Sequence, residues 1–325
     1  MKRGFCAGGT RHGGVGLTLL TESELAEIQR STLELLEHTG VWVEDDEAFA
    51  ILADGGCRAD RETHIVKFPG YLVEAAIESA PRTFRLCGRD ESKDVVLGGN
   101  LVHFMNFGIG INLNDINTGE HRPSAKSDVA DAARMVDYCS DIDVLLEPLV
   151  PHDVAHPALH ILQMELNNCT KPAISGPGSA EEAVACIDLA AAVAGGREAL
   201  RERPLIGMGG CTVSPLELTR EASCAWLTGA RAGVPVSITS MTMAGGSGPQ
   251  TLAGTLVVAN AEVLAATTLV QLAARGNPVI FSSSTLAMDL RYGAAVLGTP
   301  EGALLNSGFA QLAQMHGIPS WVQGL

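Results

Sequence analysis

The sequence predicts an α/β protein: a (β/α)8 TIM barrel, incomplete at about seven strands, with an N-terminal α+β cap. Three observations lead there. From about residue 100, short apolar or β-branched runs alternate with helical stretches, with no long structureless loop between them. Runs such as Val234-Pro-Val-Ser-Ile-Thr-Ser240 and Pro278-Val-Ile-Phe-Ser-Ser283 have the composition of parallel strands covered on both faces. The 325 residues are 46% apolar but only 4% aromatic, so the core must be built from Ala, Val, Leu and Ile, with Gly in tight places. An open doubly wound sheet would use the same units, but seven in steady succession favour a barrel.

The elements follow in order. Residues 1–20 are Gly-rich and read as an arm. Thr21-x-x-Glu24 is a capping box opening a helix whose Leu25, Ile28, Thr32, Leu35 and Leu36 share one face, and Gly40 ends it. Residues 41–97 mix short strands and helices, with Pro69 opening a helix from Tyr71 to Ser79. The cap is therefore set at 1–97 and the barrel at 98–325. Barrel strands are expected near 102–107, 143–149, 172–176, 204–211, 234–241, 278–284 and 318–322. Helices are expected near 127–139, 157–168, 179–194, 215–232, 250–275 and 300–316. Ser179-x-x-Glu182, Ser214-Pro215-x-Glu217 and Thr299-Pro300-Glu301 mark three of the helix starts. The last strand, Ile318-Pro-Ser-Trp-Val-Gln-Gly-Leu325, has no crossover helix after it, so a barrel lacking its last part is the expectation.

A net charge of −15 excludes nucleic acid and anionic membrane as main partners, because phosphate binding needs a basic surface. Eight scattered cysteines (Cys6, Cys57, Cys87, Cys139, Cys169, Cys186, Cys211, Cys224) form no CxxC pair and no secreted disulfide framework. The N-terminus has no apolar export segment, so a cytoplasmic protein is expected. Leu252 to Ala274 is long enough to cross a bilayer, with Glu262 as its only charge. The unbroken βα rhythm on both sides makes it a barrel helix instead, here expected in a subunit interface of a homo-oligomer.

In a barrel the active site lies in the βα loops at the C-terminal strand ends. Those loops supply Phe107, Glu147, Cys211, Met241 to Gly248, Ser282 to Asp289, and Gln323-Gly324. Ala244-Gly-Gly-Ser-Gly-Pro249 is neither a Walker loop nor a full GxGxxG, and is either a flexible turn or a place where a ligand comes close. His152-x3-His156-x3-His160 has metal-ligand spacing, but Pro157 opens a helix between them and no HExxH or CxxC accompanies it, so no metal is expected. Met241, Gly245, Gly246, Ser282, Ser283 and Asp289 form the expected pocket. Glu147 and Glu262 follow, with helix packing as the plain alternative for Glu262. No nucleophile elbow appears, and no Lys falls at a strand end for a Schiff base.

Ser214-Pro-Leu-Glu-Leu218, Arg231-Ala-Gly-Val-Pro235, Met243-Ala-Gly-Gly-Ser247, Leu252-Ala-Gly-Thr-Leu-Val257, Asn260-Ala-Glu-Val-Leu264, Gly298-Thr-Pro-Glu301, Gly317-Ile-Pro-Ser320 and Gly88-Arg-Asp90 closely resemble segments of the trimethylamine methyltransferases. The resemblance implies a barrel that moves a methyl group from trimethylamine to the Co(I) corrinoid of a partner protein, with no cofactor bound directly. It also implies a pyrrolysine, encoded by an in-frame amber codon, directly after the Gly317–Leu325 segment, so that this chain as written lacks it. The reason is chemical: a neutral tertiary amine releases its methyl poorly until an electrophilic imine carbon makes its nitrogen quaternary. Asp289 or Glu147 would then orient the adduct or handle protons. Two other readings stand beside this one. Members of the superfamily without pyrrolysine act on quaternary amines such as glycine betaine, and Phe107 and Trp321 would then offer ring faces to the cation. The other reading is an inactive truncated fragment with an exposed sheet edge.

Overall fold

The computed structural model describes residues 18–99 and 101–324 and the backbone strand Phe5–Cys6. Most of the arm read at 1–20, the Cys6 thiol and Leu325 lie outside these residues. Three helices form the cap: α1 (Glu22–His38), α2 (Asp46–Asp54) and α3 (Gly70–Ser79). The Thr21–Glu24 capping box makes both of its reciprocal bonds. Pro69 is the N-cap of α3. Gly40, at φ +83, takes the left-handed turn where an added Cβ would meet the Val66 carbonyl at 2.5 Å.

The barrel strands are β1 (Leu145–Leu146), β2 (Ala173–Ser175), β3 (Ile206–Cys211), β4 (Val236–Ser240), β5 (Val279–Ser283) and β6 (Ser320–Val322). They pair in chain order, all parallel, in a curled six-stranded sheet. A parallel bridge from Met105 to Val144 adds a further position before β1. The connecting helices are α4 (Lys126–Tyr138), α5 (Pro157–Asn168), α6 (Ala180–Ala194), α7 (Arg197–Glu202), α8 (Arg220–Ala232), α9 (Leu252–Ala273) and α10 (Pro300–His316).

Three features depart from the sequence reading. Ser214-Pro215-x-Glu217 does not start a helix: α8 begins at the Thr219 N-cap, and Glu217–Leu218 pairs in parallel with Trp42–Val43 of the cap. The short helix α7 and the hairpin of Leu286–Asp289 with Ala294–Val296 fall inside stretches read as loop. The third concerns α9. It was expected in a subunit interface, but α1, α2, α3, α8 and α10 of the same chain pack around it, leaving 83% of its most apolar window buried. An apolar helix with no polar face needs cover on every side, and the cap provides it.

Side-chain alternation divides the sheet into two faces. Leu145, Ala173, Ile206 and Met208 pack outward on the helices. Val236, Ile238, Val279 and Phe281 do the same in a second cluster, where Phe281 stacks on Phe309 of α10 at 4.9 Å. Val144, Ile174 and Ile280 point inward and form a separate cluster with Leu86, Val95, Phe84 and Leu97 of the hairpin Thr83–Leu86/Val95–Gly98. That hairpin lies under the N-terminal strand ends: Cys87 N donates to Pro204 O at 2.7 Å, and Gly98 abuts Pro319. The lumen is thus closed at one end and opens at the other, where the βα loops are.

Candidate functional site

The two-residue alternation decides which expected residues face the lumen. Ile174 fills its lower part, and an added Cβ at Gly207 or Gly209 would come within 2.8 and 3.2 Å of that side chain. Above it, Cys211, Ser237, Thr239, Ser282 and Trp321 line the wall from four successive strands. A chain of donors ties three of them: Trp321 Nε1 donates to Ser237 Oγ at 3.0 Å, Ser237 and Ser282 hydroxyls lie 3.1 Å apart, and Ser282 Oγ donates to Ile280 O at 3.2 Å. Ser237 was not among the expected residues, although Ser237, Thr239 and Ser282 alternate with Val236, Ile238 and Phe281. Hydroxyls on one face of a strand otherwise built for burial were the available signal.

Among the lumen-facing strand positions just named there is no acid or base. The upper lumen is therefore a small neutral pocket whose hydroxyls are bonded to one another. Cys211 is open to solvent, but the surrounding protein raises its thiol pKa, with the charge of Glu147 adding to the effect. A thiol held neutral is a poor nucleophile.

The remaining expected residues are spread around the mouth. Phe107 and Met241 stand on the rim, 70% and 49% exposed. Ser283 faces the helices and is bonded to Thr285 at 2.7 Å. Asp289 sits on the hairpin over β5, where its carboxylate accepts the Arg291 N–H at 2.8 Å and caps the turn. Gly245 takes φ +79 and has open space at its Cβ position, while a Cβ at Gly246 would collide with Met288 and one at Gly248 with Thr242. Two of these glycines therefore answer to packing within the chain.

Glu262 has a larger structural role than helix packing. Fully buried on α9, its Oε2 accepts from Thr212, Ser214 and Ser240 at 2.8, 2.9 and 2.7 Å and from Thr242 at 3.3 Å, and Oε1 accepts the Leu216 N–H at 2.9 Å. One carboxylate thus fixes the loops that follow β3 and β4. Glu147, 3% exposed, turns away from the lumen toward the helix layer. Its Oε1 accepts the Gly176 N–H at 2.7 Å and the Ser175 hydroxyl at 3.4 Å. Burial pushes its pKa up to about 7 against the pull of those two bonds, and the Glu182 charge adds to the rise.

The three histidines do not converge. His156 precedes α5 with Nδ1 3.5 Å from Glu182, and His160 Nδ1 accepts from Lys126 Nζ at 2.7 Å. Among the described residues no group of three metal-binding side chains forms.

A parallel βα sheet wound around a plugged lumen, with its polar groups at the C-terminal strand ends, defines a barrel of the enzyme type. The chain belongs to the trimethylamine methyltransferase (MTTB) family, whose model matches residues 10–325. It is 44% identical over 321 residues to trimethylamine methyltransferase MttB of Desulfitobacterium hafniense (strain DSM 10664 / DCB-2), covering 98% of this chain and 64% of that protein. MttB of Methanosarcina thermophila is 39% identical over 330 residues, 99% of this chain and 68% of its own length. A glycine betaine methyltransferase of Desulfitobacterium hafniense (strain Y51) is 32% identical over 307 residues, 93% of this chain and 63% of that protein. This chain therefore spans about two thirds of the length of these relatives. The crystal structure of Methanosarcina barkeri monomethylamine methyltransferase (MtmB) shares the fold with a TM-score of 0.59 at 13% identity, over 93% of this chain and 67% of that one.

Proposed function

We propose that this protein is a cytoplasmic, homo-oligomeric methyltransferase that moves a methyl group from trimethylamine to the Co(I) corrinoid of a separate protein, giving dimethylamine. The observation that carries this reading is the neutral upper lumen. A pocket of Cys211, Thr239, Ser282 and Trp321 with no charged wall suits an uncharged amine whose surface is three methyl groups. Relatives of 38–44% identity that are named for trimethylamine support the same substrate.

The mouth suits a broad, largely apolar visitor. Phe107, Ile109, Val213, Met241, Tyr292 and Leu297 are all exposed, and all lie in loops that follow the C-terminal strand ends. The corrinoid, when docked, supplies the nucleophile that takes the methyl. The lumen's part is to hold the amine, exclude water and keep the Trp321 ring fixed through Ser237. Glu262 holds the loops after β3 and β4 in register with the pocket. Asp289, on the hairpin above, remains the candidate for orienting the amine from the mouth. The reactive residue in this reading is a pyrrolysine following Leu325, as the resemblance implies.

The test is methyl transfer by the native protein with a reduced corrinoid protein, offered trimethylamine or glycine betaine, together with mass spectrometry across the peptide containing Gly317–Leu325. Transfer from trimethylamine and a pyrrolysine mass are expected. Transfer from glycine betaine, with an ordinary residue at that place, would establish the second reading, which the 32% relative and the ring faces of Phe107 and Trp321 favour.

A further inference from the structure

Glu165 on α5 is 1% exposed, and neither of its carboxyl oxygens has a hydrogen-bond partner. Burial raises its pKa well above the carboxyl range, and the charge of Glu147 raises it further, so it stays a neutral acid. An apolar residue of similar size would be more stable there. Its surroundings suggest why an acid is present. Glu147 holds the Gly176 N–H, and Glu182 on α6 holds the Gly178 N–H at 2.9 Å. The loop Gly176-Pro-Gly178, which follows β2 at the barrel mouth, is thus gripped at both ends by carboxylates. Cys186, whose thiol burial pushes up to about 12, and Cys211 complete the titratable groups facing Glu147, and His156 lies beyond Glu182. At Gly176 a Cβ would stand 3.2 Å from Glu147 Oε2, so the carboxyl lies directly against the backbone it holds.

We propose that Glu147 is a positioning residue whose carboxylate clamps the Gly176–Gly178 loop at the barrel mouth, and that Glu165 is the neutral acid whose hydrogen steadies that charge. A charged acceptor binds an N–H roughly twice as strongly as a neutral one. The loop is therefore held when Glu147 is ionised and loosened when it takes up a proton from solvent, while Glu165 keeps its own. The importance of the loop for amine entry rests on the function proposed above; the clamp itself does not.

The clamp is tested without substrate, by amide hydrogen exchange of the segment 173–180 in the native protein between pH 6 and 8, corrected for intrinsic exchange. Protection of Gly176 is expected to fall about tenfold from pH 8 to pH 6. In Glu147→Gln, which keeps a neutral acceptor, protection should be low and flat. Glu165→Gln retains a donor and should keep the wild-type midpoint, whereas Glu165→Leu should move the midpoint to higher pH. Flat protection in the wild type, or one shared midpoint for Glu165→Leu and Glu165→Gln, overturns the proposal. An intact clamp in a protein that transfers no methyl from trimethylamine would count against the function alone.

Discussion

The indole N–H of Trp321 bonds Ser237 Oγ at 3.0 Å although their strands are not neighbours: β5 lies between them, and its Ser282 joins the same chain of hydroxyls. Three strands are therefore fastened on the lumen side by side-chain bonds as well as by their ladders. Ser237→Ala would leave the indole N–H without its partner inside the barrel. A loss of about 1–3 kcal/mol in urea unfolding is expected, with Ser282→Ala milder because that hydroxyl is only an intermediate link. Equal, negligible losses would show that the chain does not brace the sheet.

Glu262 serves five donors from two loops, so its removal strands several buried groups at once. Glu262→Ala is expected to cost about 3 kcal/mol or more in urea unfolding. Glu262→Gln can still accept through its amide oxygen and should lose less. If the two variants unfolded alike, the loops after β3 and β4 would not depend on the carboxylate.

The pH dependence of stability carries a sign that follows from Glu147. Its folded pKa of about 7 lies above the ordinary 4.5, so folding favours the protonated form. The contribution is fully present below about pH 4.5 and is lost as pH rises through 7, by up to about 3 kcal/mol. Urea unfolding of the wild type against Glu147→Gln across pH 5–8 checks this: the wild type should weaken relative to the variant as pH rises. The opposite slope would mean that Glu147 is ionised throughout.

Glu165→Leu removes two unbonded oxygens from the interior. Stabilisation by about 1–3 kcal/mol at pH 8 is expected, together with the shifted loop transition described above. Destabilisation would show that the acid has a partner in solution.

Much of the fold was legible because its signals are local. Strand spacing, the Thr21–Glu24 box, Pro157 and Thr299-Pro300 each place an element within a few residues of where it forms. The site was less legible. Glu147 follows a strand of only two paired residues, too short for alternation to reveal which way it points, and only the bond to Gly176 shows that it faces the helices. Glu165 sits in a helix of ordinary composition, and nothing local marks it as unbonded. The Ser214-Pro215 stretch looked like a helix start because Pro and Glu favour one, but pairing with Trp42–Val43 decided it, and that contact spans more than 170 residues.

The cap around α9 also has a consequence for biogenesis. During translation α1, α2 and α3 leave the ribosome some two hundred residues before the helix they are to cover exists. Their apolar faces must wait for it, and α9, when it emerges, has the hydropathy of a segment that the membrane-insertion machinery recognises. Prompt engagement by the waiting cap is what keeps this helix from being mistaken for a bilayer anchor.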